Sequence, residues 1–354
     1  MNFSKHILIF SVLSFLIFLN ISVLSCSKSN VNKSTKFSIV CTTFPQYDWV
    51  KNITAGNEDK FEIYLLMNKG SDLHNYQPTA QDMIKIASSD LFIHVGGISD
   101  IWVKDALKES KTNIIVLNLV DILGNKLKIA KHIEGIQETE HHDDECPATC
   151  HACCQEKCHT DCHADCEEHH HEHLHNHNDE HVWLSLRNAE IFISKITDSI
   201  SILDKTNANQ YKTNAENYNN MLKELDLSYK TVVETAKRKT ILFGDRFPFR
   251  YFVDDYGLTY FAAFSGCSAE SEASFETIAF LAKKVSALSL PVVFVLEKSD
   301  TKIAQSIIAN TENKNAKILV LNSMQSITAK DIESGANYLD IMKKNLDALK
   351  TALN

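Results

Sequence analysis

The chain has 354 residues, of which 44% are hydrophobic, so it is long and apolar enough to form two domains with buried cores. Its formal net charge of −9 arises in one place, because residues 138–180 alone carry −12 and leave the remainder near +3. The acidity of the chain therefore lies in a single segment. The sequence offers no basic face for nucleic acid, which excludes nucleic-acid binding.

The N-terminus, residues 1–25, is predicted to be a lipoprotein signal peptide. A weakly positive start precedes an apolar run, and the tetrapeptide VLSC ending at Cys26 resembles the cleavage site of bacterial lipoproteins. Cys26 would then be lipidated, with the polar residues 26–36 as a flexible tether. The alternative is an uncleaved anchor, although the apolar run is shorter than the roughly 20 residues that span a membrane. In an oxidising compartment Cys41 and Cys267 could pair, which the sequence leaves open.

Residues 37–206 are predicted to form a first α/β lobe. Short apolar and β-branched runs indicate strands, amphipathic stretches indicate helices, and the two alternate along the chain. This order favours a parallel sheet with helices on its faces. The predicted strands are 37–42, 61–67, 91–95 and 114–117, and the predicted helices are 47–55, 81–88 and 186–203.

A linking helix is predicted over residues 207–239. This stretch has no Gly or Pro, and its apolar residues recur every three or four positions. At 1.5 Å per residue the helix would be about 45 Å long, which suits a rigid strut between two lobes. The alternation of strands and helices then restarts and predicts a second α/β lobe over residues 240–354. Its predicted elements are 240–243, 251–256, 259–264, 275–288, 292–296, 301–310, 317–321 and a last helix from about 336.

The segment 138–180 interrupts the first lobe and is predicted to be a metal-binding insertion that is disordered without metal. It holds seven of the ten cysteines and eleven of the sixteen histidines, and it has almost no aliphatic residues to pack a core. Thiolates and imidazoles are the ligands that zinc prefers. The alternative is a solvated spacer that binds nothing. The candidate ligands are Cys146, Cys150, Cys154, Cys158, Cys162 and Cys166, which recur every four residues, and His169, His170, His171, His173, His175 and His177.

Two histidines outside the repetitive part of the insertion stand where a turn meets a regular element. His74 follows a predicted strand, and His181 precedes the helix that begins near residue 186. Residues that follow strand ends face the ligand crevice in α/β proteins. Each histidine taken alone is as compatible with an ordinary surface position as with metal ligation. Together they favour a shared metal site beside the end of the insertion.

Over residues 37–353 the chain resembles the metal-binding solute-binding proteins of ABC importers, in the zinc and manganese cluster typified by ZnuA, TroA and PsaA. The most specific piece is DEHVWLSLRNAE around His181, and GSDLHNYQPTAQDM surrounds His74. The second lobe contributes FRYFVDDYGL and SAESEASFETI. The resemblance implies two α/β lobes joined by a long rigid helix, with a metal ion bound in the cleft between them.

The resemblance also implies a ligand set. His74 and His181 match the ligands from the first lobe, whereas the second lobe departs from the family pattern. Arg246 stands where the family has a ligand, and a guanidinium has no lone pair with which to bind a cation. Its neighbour Asp245 and the more distant Glu272 are therefore the candidate ligands from the second lobe.

Two other positions bear on the completeness of this site. The last ligand of the family falls at Asn322, which offers zinc only a weak carbonyl oxygen, and Glu297 is a further acidic candidate near a strand end. We expect water, or a Cys or His of the insertion, to complete the coordination.

Taken together, these features predict an extracytoplasmic, lipid-anchored, monomeric protein that captures Zn²⁺ and delivers it to the permease of an ABC importer. It is predicted not to be an enzyme. Manganese is less favoured because it prefers oxygen ligands, whereas nickel or copper would suit the insertion. The alternatives are a surface protein that buffers or detoxifies metal, an adhesin, and a zinc hydrolase, for which the sequence has no HExxH helix or nucleophile motif.

Overall fold

The protein is described from a computed structural model that covers residues 36–129, 134–137, 178–266 and 272–354. The predicted signal peptide, Cys26 and Cys267 lie outside these residues, and so do all the candidate ligands of the insertion. In the described ranges no helix combines the length and the apolar character needed to cross a bilayer.

A parallel four-stranded sheet organises the first lobe. Its strands are β1 Phe37–Cys41, β2 Phe61–Leu65, β3 Leu91–His94 and β4 Ile115–Asn118. They lie in the order β2-β1-β3-β4, and each is a short apolar run because helices cover both faces of the sheet. The helices are α1 Phe44–Ile53, α2 Ala80–Ser88, α3 Val103–Lys108, α4 Leu119–Leu123 and α5 Leu186–Leu203.

The second lobe repeats this arrangement. Its strands are β5 Thr240–Phe247, β6 Thr259–Ser265, β7 Val292–Val295 and β8 Lys317–Val320, in the parallel order β6-β5-β7-β8. The two sheets therefore have the same topology. The helices of this half are α7 Arg250–Tyr256, α8 Phe275–Ala287, α9 Lys302–Ala309, α10 Ala329–Glu333 and α11 Tyr338–Leu353, and α6 Ala208–Thr235 precedes it.

The long helix α6 is 28 residues long, which corresponds to about 42 Å. Tyr211, Tyr218, Leu222 and Tyr229 lie on its buried face, and the rest of the helix is largely exposed. A single hydrophobic cluster runs from the first sheet through α5, α6 and α11 into the second sheet. Smaller clusters cover the other face of each sheet. The lobes thus share a core, and α6 is packed along it.

The predicted α/β fold, with two parallel sheets and a long helix, is confirmed. Some predicted bounds were wrong. The helix α1 begins at Phe44, ahead of the predicted start at 47, because the Gln46 side chain accepts from the N–H of Thr43 at 3.1 Å and a proline lies in the first turn. Strand β5 continues to Phe247 past an irregularity between Phe243 and Arg246. The short helices α3, α4 and α10 were not predicted because so few residues show no clear periodicity.

Candidate metal centre

His74 and His181 are both placed by short turns that an aspartate initiates. His74 lies in a 3₁₀ turn, Leu73–Asn75, and its backbone N–H donates to Oδ1 of Asp72 at 3.0 Å. His181 precedes a second 3₁₀ turn, and its N–H donates to Oδ1 of Asp179 at 2.8 Å. The pattern Asp-x-His thus occurs twice, and each aspartate fixes the backbone from which the imidazole projects.

The two imidazoles converge although 107 residues separate them in sequence. Their Nε2 atoms lie 3.3 Å apart, and the rings meet edge to face with centroids 5.2 Å apart. Two nitrogens bound to one zinc ion at about 2.05 Å, at the tetrahedral angle, would be about 3.3 Å apart. The pair is therefore already at the spacing that a shared zinc ion requires.

The far nitrogen of each ring also has a partner. Nδ1 of His181 lies 2.9 Å from Oδ1 of Asp179, and since a carboxylate only accepts, this Nδ1 carries the hydrogen. Nε2 of His181 is then left with a lone pair. Nδ1 of His74 lies 2.7 Å from the hydroxyl oxygen of Ser99, which can accept or donate. Sequence reasoning missed Asp179 and Ser99 as partners, although Asp179 was visible beside His181 in the DEH tripeptide.

Electrostatics favour a neutral His74. Burial and the neighbouring imidazole of His181 lower the pKa of His74 to about 4, so its ring is uncharged at neutral pH. Burial opposes the charged form of His181, but the Asp179 carboxylate outweighs this effect and raises the pKa of His181. Metal ligation requires the deprotonated Nε2 of each ring.

Arg246, which stands where the resemblance implied a ligand, contacts the turn that carries His74. Its guanidinium Nη2 lies 2.8 Å from Oδ2 of Asp72, so a cation from the second lobe pairs with the aspartate that caps the His74 turn. Burial would raise the pKa of Asp72, but this ion pair outweighs it and keeps that pKa low. The first and second lobes are thereby joined beside the two histidines.

The predicted acidic ligands have other contacts in the structure. Oδ1 of Asp245 accepts from the N–H of Arg246 at 2.8 Å, and Oδ2 accepts from the N–H of Leu296 at 3.2 Å. Glu272 is exposed, and its backbone carbonyl accepts from Gln137. Across the described parts of the chain, no three His, Cys, Asp or Glu side chains are grouped so as to hold a metal ion. Asp245 and Glu272 therefore stay predictions.

The side chains of Glu297 and Asn322 accept hydrogen bonds from the backbone of the loop that follows β8. The Glu297 carboxylate accepts from the backbone N–H groups of Ser323, Gln325 and Ser326, at 2.7, 3.0 and 3.2 Å. The side-chain oxygen of Asn322 accepts from the N–H of Met324 at 2.8 Å. These bonds give both residues a structural role in the described loop. The sequence leaves open whether Cys41 pairs with Cys267. The Cys41 thiol is free and buried among the described residues, and Cys267 lies outside them.

Comparison with known proteins gives a consistent family. The family described as zinc-uptake complex component A, periplasmic, matches residues 39–352. The zinc-binding protein AdcA of Streptococcus pyogenes is 29% identical over 315 residues, which are 89% of this chain and 56% of AdcA. The high-affinity zinc uptake system protein ZnuA of Bacillus subtilis is 29% identical over 336 residues, 94% of this chain and 93% of that protein. The chain thus spans little more than half the length of the streptococcal relatives it matches.

Solved structures show the same fold. The metal-dependent lipoprotein YcdH of Bacillus subtilis superposes with a TM-score of 0.65 and 26% identity, over 90% of this chain and 100% of that one. The zinc-bound ZnuA-like domain of AdcA from Streptococcus pneumoniae gives a TM-score of 0.64 with 24% identity, over 90% and 99% of the two chains. At 24% identity, the similarity to the AdcA domain supports only a shared fold.

Proposed function

The chain belongs to the family of zinc-uptake complex component A, periplasmic, and on that premise we propose that it captures Zn²⁺ outside the cytoplasm and hands it to the permease of an ABC importer. The observation that carries this proposal is the 3.3 Å separation of the His74 and His181 Nε2 atoms. Imidazole nitrogen favours zinc over manganese, which prefers oxygen. Capture and release of the ion require no covalent chemistry.

The remaining coordination positions are also part of the proposal. Asp245 would have to exchange its bond with the Leu296 N–H for the metal, and Glu272 would have to move into the cleft. Water, or thiols and imidazoles of the insertion, can fill positions that these carboxylates do not reach. We propose that the insertion collects zinc at lower affinity and passes it to the cleft, in a monomer anchored through Cys26.

Isothermal titration calorimetry of the full chain tests the cleft site. His74→Ala combined with His181→Ala should abolish the tightest phase of zinc binding and leave the weaker phase that belongs to the insertion. His94→Gln is the matched control, because it removes another buried imidazole of the first lobe whose Nδ1 lies 3.0 Å from a carboxylate, that of Asp100. Equal tight-phase affinity in the double variant and in the wild type would show that the site is assigned wrongly.

Deletion of residues 141–177 tests the insertion separately. The stoichiometry of bound zinc should fall while the tightest phase remains, and an unchanged count would refute a role for the insertion. Growth under zinc starvation then separates import from metal buffering at the surface. Loss of the gene should impair growth at low zinc if the protein serves import, whereas a buffering protein would matter only when zinc is in excess.

A further inference from the structure

The segment that carries His181 belongs to the first lobe in sequence, yet hydrogen bonds attach it to the second lobe on both sides of the histidine. The hydroxyl of Tyr251 in α7 donates to the backbone carbonyl of Asp179 at 2.9 Å. The indole N–H of Trp183 donates to the backbone carbonyl of Ser323 at 2.9 Å. The residues two positions before and two positions after His181 are therefore both bonded to the second lobe.

The Tyr251 hydroxyl contacts two segments of the first lobe at once. It accepts from the backbone N–H of Lys128 at 3.1 Å while it donates to Asp179. The two segments also pair with each other, since the N–H of Asp179 donates to the carbonyl of Lys128 at 2.8 Å. Next to this bond, Ile129 and Asn178 form an antiparallel bridge. One phenol of the second lobe thus joins both chains of a short antiparallel pair.

Tyr251 is itself held in place. It is 2% exposed and belongs to the hydrophobic cluster that also contains Trp183. Burial raises the pKa of Tyr251 to about 12, so the hydroxyl keeps its hydrogen at neutral pH. That hydrogen is donated to Asp179, and a lone pair of the same oxygen accepts from Lys128. Loss of the oxygen would remove a partner from a carbonyl and from an N–H while the ring could stay packed.

Asp179 passes this support on to His181. Both polar groups of its backbone are bonded, the N–H to Lys128 and the carbonyl to Tyr251. Oδ1 of its side chain accepts from the backbone N–H of His181 at 2.8 Å and lies 2.9 Å from Nδ1 of the ring. Nε2 of the same ring lies 3.3 Å from Nε2 of His74. The spacing of the two imidazoles therefore depends on a backbone that Tyr251 holds.

We propose that Tyr251 is a positioning residue of the zinc site, which holds Asp179 and thereby keeps the His181 ring at the spacing that a shared zinc ion requires. This inference rests on the proposed zinc site. It gives the second lobe a part in zinc binding that does not depend on the candidate carboxylates of that lobe. Hydrogen-bond partners of metal ligands typically change metal affinity 10- to 100-fold when they are removed. Tyr251 acts one step further from the ion, so we expect the lower end of that range.

The variant Tyr251→Phe, made in the full chain, removes one oxygen and keeps the buried ring. Calorimetry should show that the tightest phase of zinc binding weakens about tenfold. Nitrogen-15 NMR of the chelator-treated protein gives a second readout, which reports on the His181 ring and not on stability. The Nδ1 hydrogen of His181, which Asp179 accepts in the wild type, should exchange with water faster in the variant.

Tyr229→Phe is the matched control. Tyr229 is also buried, and its hydroxyl also donates to a backbone carbonyl, that of Met342 at 2.5 Å. Loss of this hydroxyl should lower the stability to urea. It should leave the zinc affinity and the exchange of the His181 hydrogen unchanged, which separates positioning from stability.

A double variant tests the order in which the two residues act. Asp179→Ala should weaken zinc binding more than Tyr251→Phe does, because it removes the direct partner of the His181 ring. Adding Tyr251→Phe to Asp179→Ala should change the affinity little, since the two residues act in series. A full tenfold further loss in the double variant would refute the path through Asp179.

The outcomes also distinguish the two proposals. If the double histidine variant, His74→Ala with His181→Ala, abolishes tight binding while Tyr251→Phe changes neither affinity nor exchange, the positioning role is refuted and the zinc site stands. If the double histidine variant binds zinc as tightly as the wild type, the zinc site is refuted, and the positioning role falls with it.

Discussion

Asp48 connects three elements, and its burial should make the stability of the protein depend on pH. It lies in α1, and its Oδ2 accepts from the hydroxyl of Tyr218 in α6 at 3.1 Å and from the N–H of Tyr338 at the start of α11 at 3.2 Å. Burial raises the pKa of Asp48 from its ordinary value of 3.8 to about 6, although these two bonds oppose the shift. The folded protein therefore binds a proton at Asp48 more tightly than the unfolded chain does.

The sign and size of the effect follow from linkage. Between pH 4 and 6 the folded state holds more protons at this site, so the free energy of unfolding falls as the pH rises and reaches a lower plateau above about pH 6. A pKa change from 3.8 to about 6 corresponds to about 3 kcal/mol. Asp48→Asn removes this titration but keeps an oxygen that accepts from Tyr338. Relative to the wild type, the variant should gain up to about 3 kcal/mol between pH 4 and 7.

Urea unfolding of both proteins across this pH range, with a chelator present so that bound metal does not contribute, gives the difference directly. Asp204→Asn is the matched control. The Asp204 carboxylate also accepts from a tyrosine hydroxyl, that of Tyr211 at 2.7 Å. Burial would raise the pKa of Asp204, but hydrogen bonds from Asn207 and Tyr211 lower it. Its contribution to stability is therefore lost only as the pH falls below about 4, and the stability difference for Asp204→Asn should stay nearly constant between pH 4 and 7. A stability difference for Asp48→Asn that stays constant across the pH range would refute the reasoning.

Three further substitutions have defined consequences. Arg246→Met removes a cation that disfavours positive charge at His74 and that should likewise repel a bound zinc ion. Calorimetry should therefore show that zinc binds roughly tenfold more tightly, and weaker binding would contradict this expectation. Gly97→Ala places a Cβ against the Glu180 side chain, at a residue whose φ of +85° already disfavours a side chain. Urea unfolding should show that the free energy of unfolding falls by about 1–3 kcal/mol, and an unchanged midpoint would refute the close approach. Trp183→Phe removes a buried indole N–H that donates to a backbone carbonyl of the second lobe at 2.9 Å. It should cost about 1–3 kcal/mol in the same assay, and full stability would show that this bond contributes little.

Much of the fold could be predicted from the sequence because its signals are local. The apolar β-branched run at residues 37–42 has the period and composition of a buried strand wherever it lies. The absence of Gly and Pro between residues 208 and 235 predicts one uninterrupted helix. His74 and His181 were singled out as candidate ligands in the same way, since each stands beside a recognisable strand or helix end. The thiol and imidazole content of the insertion predicts metal binding, which the described residues do not test.

Which side chain of the second lobe faces the two histidines depended on tertiary structure. Neighbouring side chains of a strand point in opposite directions, so Asp245 and Arg246 are not equivalent, and sequence alone does not say which faces the first lobe. In the structure Arg246 reaches Asp72, while Asp245 bonds to Leu296 in its own lobe. The charge beside the histidines is therefore positive where the sequence suggested a carboxylate.

The sequence by itself determined which elements form and which residues are able to bind zinc, because helix, strand and ligand chemistry depend on residue type and local spacing. Only the tertiary structure decided that His74 and His181 meet with their Nε2 atoms 3.3 Å apart, and that Asp179 holds the His181 ring while Ser99 lies against the His74 ring. Such distances result from the packing of two sheets on a shared core, which joins residues far apart in the chain. No local pattern encodes that packing.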